Sequence, residues 1–461
     1  MTLEQLPNLE RANVLVYSLG IEGRDLARWL VSQGARVTVS DTRTDAQLET
    51  AGATVPEGVE RVVTGRDLLD PSGYDLVAVS QSILRHDPAM QRARQLGIPL
   101  TSQMRLFLEL CPGRVVGITG SAGKSTTTSL AAAMAEAAGI EYLVGGNIGQ
   151  AMLERLPEIG PQTAVILEIS HTQLQYTTVS PQIAAITNVT PNHLDQFSWD
   201  EYVGLKRNIL EHQGSDDIAI LNADDRISRG MMVSVHGRLH QCSIQGPVTG
   251  DGAYLAYDEV VCAQGRRSAR IAARGDIRLP GEHNLSNVVM ASAIGCAMGL
   301  PPEAIQEAIR RFRGVPHRLE IIGAATDVTY VNDSIATAPE RTIAGLRAFD
   351  RPVVLLLGGR DKNLPLDRLY EEVQARCRAV VCFGESGDVF RQALAEGEAP
   401  VDLVATLDEA VEAAAQIAAP GDVVLLAPAG TSFDAYPNFE ARGNAFRELV
   451  QRLPGFTEAE L

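Results

Sequence analysis

Residues 117–128 read GITGSAGKSTTT, a glycine-rich turn that follows an apolar run and opens an alanine-rich helix. It constrains the fold more than any other segment. A turn that aims backbone N–H groups at an anion needs a strand before it and a helix after it. Lys124 adds a point charge, and Ser125 and Thr126 add hydroxyls able to meet Mg²⁺. The spacing departs from a Walker loop, because Ile118 stands five residues before Gly123 where glycine is expected, while Gly120 and Gly117 stand three and six before it. The turn Gly120, Ser121, Ala122, Gly123 therefore points to nucleotide binding and leaves the reaction open. A simple helix cap is the alternative.

The same strand–turn–helix pattern occurs on both sides. NVLVYSLGIEGRDLARWLVSQGARVTVSD (13–41) runs from strand through glycine turn to amphipathic helix and on to a second strand ending at Asp41. Of a dinucleotide fingerprint only Ser18, Gly20 and Gly23 remain, with Asp41 near a ribose-binding position. A β-α-β unit whose glycines serve only close packing fits equally. ELCPGR (109–114) breaks the pattern. AVILEIS, IAAITNVT and IAILNADD then follow as strands with polar ends, residues 231–280 read as an antiparallel edge patch, and HNLSNVVMASAIGCAMG reads as a helix. RFRGVPHRLE (311–320) breaks it again, before a third alternation of strands and helices. At roughly 150 residues per domain, 461 residues allow about three. We expect an α/β chain with a Rossmann-like domain over 1–112, a P-loop ATPase-like domain with a mixed sheet over 113–314, and a second Rossmann-like domain over 315–461.

A net charge of −17, from 40 basic and 57 acidic residues, works against general binding to nucleic acid or anionic membrane, so an anionic ligand must meet local cations. No apolar run approaches the ~18 residues of a membrane span, and no basic-then-apolar leader opens the chain, so a cytoplasmic protein is expected; a monomer is expected too, although the sequence does not determine oligomeric state. The six cysteines form no C-x-x-C pair and are expected to be reduced core residues.

Strand ends carry the candidate chemistry. Glu168 ends AVILEIS and suits a second Mg²⁺ contact. NVTPNHLDQF sets His193 and Asp195 after a strand, where a histidine serves either a metal or a loop hydrogen bond. Asn284 and Asn287 fall three apart on one helical face, able to read a purine edge. Farther on, Arg318 suits phosphate or carboxylate, Asp333 a ribose hydroxyl and Lys362 an anionic substrate; each is otherwise surface charge. Together at strand ends near a domain junction they read as a binding cleft.

In this order the motifs resemble the Mur ligase family: GITGSAGKST, GGNIG (145–149), EISHTQL (168–174), NVTPNHLD (188–195), YVGLK ending in Lys206, HNLSN (283–287), HRLE (317–320), NDS.AT (332–337), GGRDK (358–362) and SFDAYPNFEARG (432–443). DTR (41–43) and the 432–439 stretch resemble the branch that adds D-glutamate. The resemblance covers essentially the whole chain. It implies ATP-driven amide formation between UDP-N-acetylmuramoyl-L-alanine and D-glutamate through an acyl phosphate. It implies that Lys124 holds the β and γ phosphates, that Ser125 or Thr126 with Glu168 binds one Mg²⁺, and that His193 with Lys206, carbamylated by CO₂, binds a second. Asn284 and Asn287 would meet adenine, Arg318 the γ-phosphate and Asp333 the ribose. Ser18, Leu19, Gly20, Asp41, Thr42, Arg43 and Asn147 would hold the UDP substrate. Thr337, Lys362, Ser432 and Phe439 would hold D-glutamate, with the third domain closing over the ATP.

Several positions depart from the family pattern. Ile335 stands where lysine is common, SQSI (80–83) replaces S-P-G-I, His171-Thr172 replaces Ser-Phe, Ala122 replaces asparagine, and Gln196 stands where arginine is common. Other readings are a folylpolyglutamate-type ligase, an NAD-dependent dehydrogenase built on the first turn, and a nucleotide switch. Against these stand the DTR element, Ser18 in place of the first fingerprint glycine, and the lack of an N-K-x-D motif.

Overall fold

The computed structural model describes residues 8–50, 52–147, 152–194, 196–279, 281–362 and 364–459. It divides into two compact units, Met1–Phe312 and Arg313–Leu461.

The first unit holds two sheets. The amino-terminal sheet comprises β1 (Asn13–Tyr17), β2 (Arg36–Ser40), β3 (Arg61–Val63), β4 (Leu76–Val79) and β5 (Leu100–Ser102), in the order β3-β2-β1-β4-β5. All its pairings are parallel. That arrangement suits β-branched runs buried on both faces, as in the fully buried Val14, Val16, Val77 and Val79.

The second sheet contains β6 (Arg114–Thr119), β7 (Tyr142–Gly146), β8 (Ala164–Glu168), β9 (Ile183–Ile186), β10 (Ile218–Asn222), β11 (Arg238–Ser243), β12 (Asp251–Ala256), β13 (Glu259–Gln264) and β14 (Arg267–Ala273). Its order is β14-β13-β12-β11-β10-β9-β6-β8-β7. The expected antiparallel edge is present: β12, β13 and β14 pair antiparallel, and the other neighbours run parallel. Because β6 lies between β8 and β9, the chain order reverses at β6. The turn after it opens into the crevice where such sheets bind ligands.

The division expected at residue 112 separates two sheets but not two compact units. One apolar cluster runs through both, with Val14, Leu26 and Leu30 from the first and Val165, Leu167 and Leu221 from the second. A buried acid reinforces the join. Asp25, in the helix Ile21–Ser32 and fully buried, accepts hydrogen bonds from the backbone N–H groups of Met152 (2.8 Å), Leu153 (2.9 Å) and Glu154 (3.2 Å). It thereby caps the short turn Leu153–Glu158. Bonds of this charged kind contribute about 1.5–3 kcal/mol each.

The cysteines need a correction. Cys262 on β13 and Cys296 in the helix Glu282–Met298 form a disulfide, with Cα atoms 6.7 Å apart. The pair is 34 residues apart in sequence, so no local spacing announces it.

The second unit is a seven-stranded sheet of β15 (Glu320–Ala325), β16 (Val328–Asn332), β17 (Val353–Gly358), β18 (Cys377–Phe383), β19 (Val401–Leu403), β20 (Val423–Ala429) and β21 (Phe456–Glu458), ordered β19-β18-β17-β20-β16-β15-β21. Five neighbouring strands, β19 to β16, run parallel in the Rossmann manner. β15 and β21 add an antiparallel margin. Among the described residues no helix is long and apolar enough to cross a membrane.

Candidate active site

The phosphate loop is shaped by close approach. Gly120, at φ 150°, leaves no room for a side chain, since an added Cβ would lie 1.9 Å from Thr187 Oγ1. Gly123, at φ 80°, starts the helix Lys124–Ala137, and a Cβ there would lie 2.1 Å from Asn287 Oδ1. Ala122 is exposed, but its backbone is clasped. Its N–H donates to Asn188 Oδ1 (3.0 Å), and its carbonyl accepts from Asn188 Nδ2 (3.0 Å) and Thr187 Oγ1 (2.6 Å). The hydrogen bonds that hold the loop at 122 are therefore made by its backbone and not by its side chain.

Two lysines converge on this loop. Lys124 Nζ donates to the carbonyls of Gly120 (2.9 Å) and Ser121 (3.2 Å). Lys206 lies at the end of the helix Trp199–Arg207, which begins with a capping box between Ser198 and Glu201. Its Nζ donates to Gly120 O (2.8 Å) and Thr119 Oγ1 (3.1 Å), and the residue is only 1% exposed. Burial, then the charge of Lys124, hold Lys206 well below the ordinary lysine range, while Glu168 pulls the other way.

β8 delivers Glu168 beside the loop. Ser125 Oγ donates to Glu168 Oε2 at 2.5 Å, and Asn147 Nδ2 donates to Oε1 at 2.9 Å. Thr126 follows in the same helical turn, half-buried. Nearby, the His193 ring lies 4.3 Å from that of His171 at a 30° tilt. His171 is buried, and desolvation, followed by the charges of Lys206, His193 and Lys124, pushes it down to about 3. Tyr202 walls this group, 5.3 Å from the His171 ring and with its hydroxyl 3.0 Å from Ser121 Oγ. Asp195 lies outside the described residues, as do Ile148 and Gly149 of the GGNIG motif.

Beyond Gly123 opens a cavity of about 280 Å³ lined by Asn188, Asn222, Asp224, His283 and Asn287. Asn287 Nδ2 donates to Asn284 Oδ1 at 3.3 Å, so the two amides share one helical face.

The first glycine turn is organised separately, at the ends of β1 and β2. Ser18 adopts φ 82°, and a Cβ on Gly23 would lie 1.8 Å from Ser18 O. Gly20 N–H donates to Ser18 Oγ (3.2 Å) and Leu19 N–H to Asp41 Oδ2 (2.7 Å). Arg43 closes on the same carboxylate, with Nη2 2.6 Å from Oδ2, while Thr42 is exposed. Burial acts to raise the Asp41 carboxyl, but the bonds from Arg43 and Leu19 outweigh it and hold it below the ordinary range.

Two departures from the family pattern meet between the sheets. Gln81 Oε1 accepts from Ser170 Oγ (2.9 Å) and Thr172 Oγ1 (3.1 Å). Glu22, just past the first turn, accepts from Gln81 N (2.7 Å) and Gln173 Nε2 (2.7 Å).

In the second unit, Asp333 follows β16 and accepts from Leu319 N at 3.2 Å. Burial pushes it up to about 6, against that bond and the charges of Arg318 and Arg341. Lys362 Nζ donates to Thr337 Oγ1 at 3.2 Å, and burial, then Arg341 and Arg442, lower its pKa. Ser432 is buried, and Phe439, which opens the helix Phe439–Gln451, sets its ring 6.2 Å from His317. Arg341 Nη1 donates to the carbonyl of Ile335 at 3.2 Å, which brings a guanidinium next to the position lacking a lysine.

Residue-by-residue reading missed several groups. Arg442, 1% exposed, ties Ser334 to Gly430, and its place in SFDAYPNFEARG was the available signal. Asn188 likewise sat unremarked within NVTPNHLD. Tyr202 likewise stood unremarked at the head of YVGLK, whereas Glu22 and Asp25 carried no signal, since their partners are distant in sequence.

Fold and site define an α/β nucleotide-binding protein with a lysine-bearing phosphate loop beside a carboxylate. Residues 118–295 match the Mur ligase middle domain, and 317–430 match the Mur ligase glutamate ligase domain. The chain is 38% identical over 449 residues to the UDP-N-acetylmuramoylalanine–D-glutamate ligase of Symbiobacterium thermophilum, covering 96% of this chain and 98% of that one. It is 36% identical to the ligase of the same name from Clostridium kluyveri, over 95% and 96%. Among solved structures it is similar to UDP-N-acetylmuramate-alanine ligase from Thermotoga maritima (TM-score 0.53, 18% identity, 96% and 99% covered). A pseudomurein peptide ligase type C from Methanothermus fervidus is also similar (TM-score 0.52, 18% identity, 96% and 100% covered). The chain belongs to the Mur ligase family, whose members are ATP-dependent amide ligases that use Mg²⁺.

Proposed function

We propose that this protein joins the carboxylate of UDP-N-acetylmuramoyl-L-alanine to the amine of D-glutamate at the expense of ATP, a cytoplasmic step in peptidoglycan precursor synthesis. The names and near-complete coverage of the two bacterial relatives support the substrates. The observation that carries the chemistry is the convergence of Lys124 and Lys206 on the Gly120 carbonyl, beside the Ser125–Glu168 pair.

The substrate carboxylate attacks the γ-phosphorus of ATP, forming an acyl phosphate and releasing ADP; the glutamate amine then attacks the acyl carbon and inorganic phosphate leaves. Carboxylate and triphosphate repel, so the first step needs fixed positive charge between them and around the transferring group. Lys124 answers the β and γ phosphates, the turn Gly120 to Gly123 curls around them with its Ser121 and Ala122 amides held by Asn188, and Asn284 and Asn287 face adenine. Arg318 and Asp333 are assigned to the γ-phosphate and ribose.

The donor set fits Mg²⁺. Ser125 and Glu168 offer hard oxygens already in contact, and Thr126 is the alternative hydroxyl in the same helical turn. Among the described residues no group of three His, Cys, Asp or Glu side chains could hold a metal, so other oxygens must complete a second site. Lys206 supplies one if carbamylated, with His193 assigned as the other ligand; its burial favours the neutral amine that reacts with CO₂. Bound Mg²⁺ would neutralise phosphate oxygens and act as a Lewis acid there.

Residues 1–112 bind the UDP substrate, through Ser18, Leu19, Gly20, Asp41, Thr42 and Arg43, with Asn147 from 113–314. Residues 315–461 bind D-glutamate through Thr337, Lys362, Ser432 and Phe439, and Arg341 supplies the cation that Ile335 does not. Phosphate release measured with UDP-N-acetylmuramoyl-L-alanine and a panel of amino acids, with and without Mg²⁺, tests the assignment. Release should require D-glutamate, the nucleotide sugar and Mg²⁺ together; equal release with every amino acid would sink it.

A further inference from the structure

His171 is the departure from the family pattern that the reaction, as described, leaves unused. The residue is 8% exposed, and its Nε2 is buried with no hydrogen-bond partner among the described residues. An unpaired buried imidazole nitrogen is costly unless something else completes it. Its surroundings narrow what that partner can be. One ring face lies against His193, with centroids 4.3 Å apart, and the ring lies 5.3 Å from Tyr202. The same Tyr202 ring carries Lys206 Nζ on it at 5.5 Å from its centroid. Lys206 Nζ donates to Gly120 O and Thr119 Oγ1. As an amine it offers His171 no anionic acceptor; as a carbamate it extends by a planar anionic group and does.

We propose that His171 is a positioning residue for the second-metal site, bracing the His193 ring and donating a hydrogen bond from Nε2 to the carbamate formed on Lys206. In forming that group the neutral Lys206 amine adds through its lone pair to the carbon of CO₂. A new N–C bond forms, one C–O π bond becomes a carboxylate, and the nitrogen's proton passes to solvent. His171 takes no part in bond making. It holds one oxygen of the product, in the Nε2–H tautomer, and limits rotation of the His193 ring.

This rests on the carbamylation reading above, and the test separates the two. The full-length protein is equilibrated with ¹³C-bicarbonate and its carbamate signal is measured by NMR for the unaltered chain and for Lys206→Ala, His171→Ala and His171→Gln, with folding checked by thermal melting. The unaltered chain should show a carbamate that Lys206→Ala abolishes. Loss of one hydrogen bond to a charged group should lower carbamate affinity about tenfold in His171→Ala, and His171→Gln, which keeps an amide donor, should recover part of it. A signal in folded His171→Ala equal to that of the unaltered chain overturns the role of His171 and leaves carbamylation standing. No signal in an active, unaltered chain overturns both.

Discussion

Two glycine turns in the first unit start from the same local pattern, strand to glycine to helix, and end as different electrostatic environments. The turn after β1 is filled by its own protein: the Leu19 amide is engaged by Asp41, and Arg43 holds that carboxylate in place. The turn after β6 faces Lys124 and Lys206, and the acid beside it, Glu168, is held by a hydroxyl and an amide rather than by a cation. A pre-paired acid suits recognition of neutral hydroxyls and ring edges, where a carboxylate must be aimed without dominating the field. A lysine charge with a carboxylate able to hold Mg²⁺ beside it suits a group whose charge changes during reaction. On the proposed function, the same backbone would serve binding in one place and chemistry in the other, with the nearby charges deciding which.

Removing a charge from each turn should separate the two. Lys124→Ala should lower kcat by about 100- to 1,000-fold, the scale of losing one fixed donor to a developing charge, with little change in KM for the UDP substrate; steady-state kinetics check it. The next largest effect concerns the helix that follows the first turn. Asp25→Ala leaves two buried amides and a part-buried one without this acceptor and should cost about 2–4 kcal/mol of stability, read from denaturant unfolding. Asp41→Asn weakens the pairing with Arg43 while nearly keeping shape. It should raise KM for the UDP substrate by about tenfold, worth ~1.4 kcal/mol, and leave kcat within about twofold; an equal fall in kcat would show that the first turn is not confined to binding.

Smaller effects are expected at the bridge between the turns. Gln81→Ala and Thr172→Ala, alone and together, should show a coupling of about 0.5–1.5 kcal/mol in stability. Glu22 adds a pH signature. Burial holds its carboxyl above the ordinary range, against the bonds from Gln173 and Gln81. The folded state therefore keeps this proton more tightly than the unfolded chain, which favours folding at acid pH, and that contribution disappears as pH rises through the raised value. Glu22→Gln should gain stability relative to the unaltered chain as pH is raised from 4 to 8. A flat difference across that range would place the carboxyl in its ordinary range.

What could be read in advance follows from how far apart the partners lie. The phosphate loop was legible because its glycines, lysine and hydroxyls are consecutive and backbone geometry fixes their spacing. The parallel strands were legible as apolar runs with polar ends. Asn188 clasping Ala122 spans 66 residues, so a substitution that looked like an anomaly in the loop could not be matched with the group that holds its backbone. Asp25 reads as an ordinary helical acid until the 152–154 amides are placed on it. The Cys262–Cys296 disulfide was hidden for the same reason. The sheets of the first two expected domains were visible, but the apolar cluster they share was not, because a buried face does not reveal which neighbour buries it.

That shared core bears on how such a chain can be recombined. Exchange of residues 1–112 for the corresponding stretch of a relative would bring in new side chains opposite Val165, Leu167 and Leu221, and a different neighbour for the turn that Asp25 caps. A chimera joined at residue 112 should therefore be recovered as misfolded or protease-sensitive material unless the facing apolar residues are transplanted with it. A junction at 312 cuts between compact units and should tolerate exchange far better. For inheritance, the amino-terminal sheet and the phosphate-loop sheet behave as one unit of exchange.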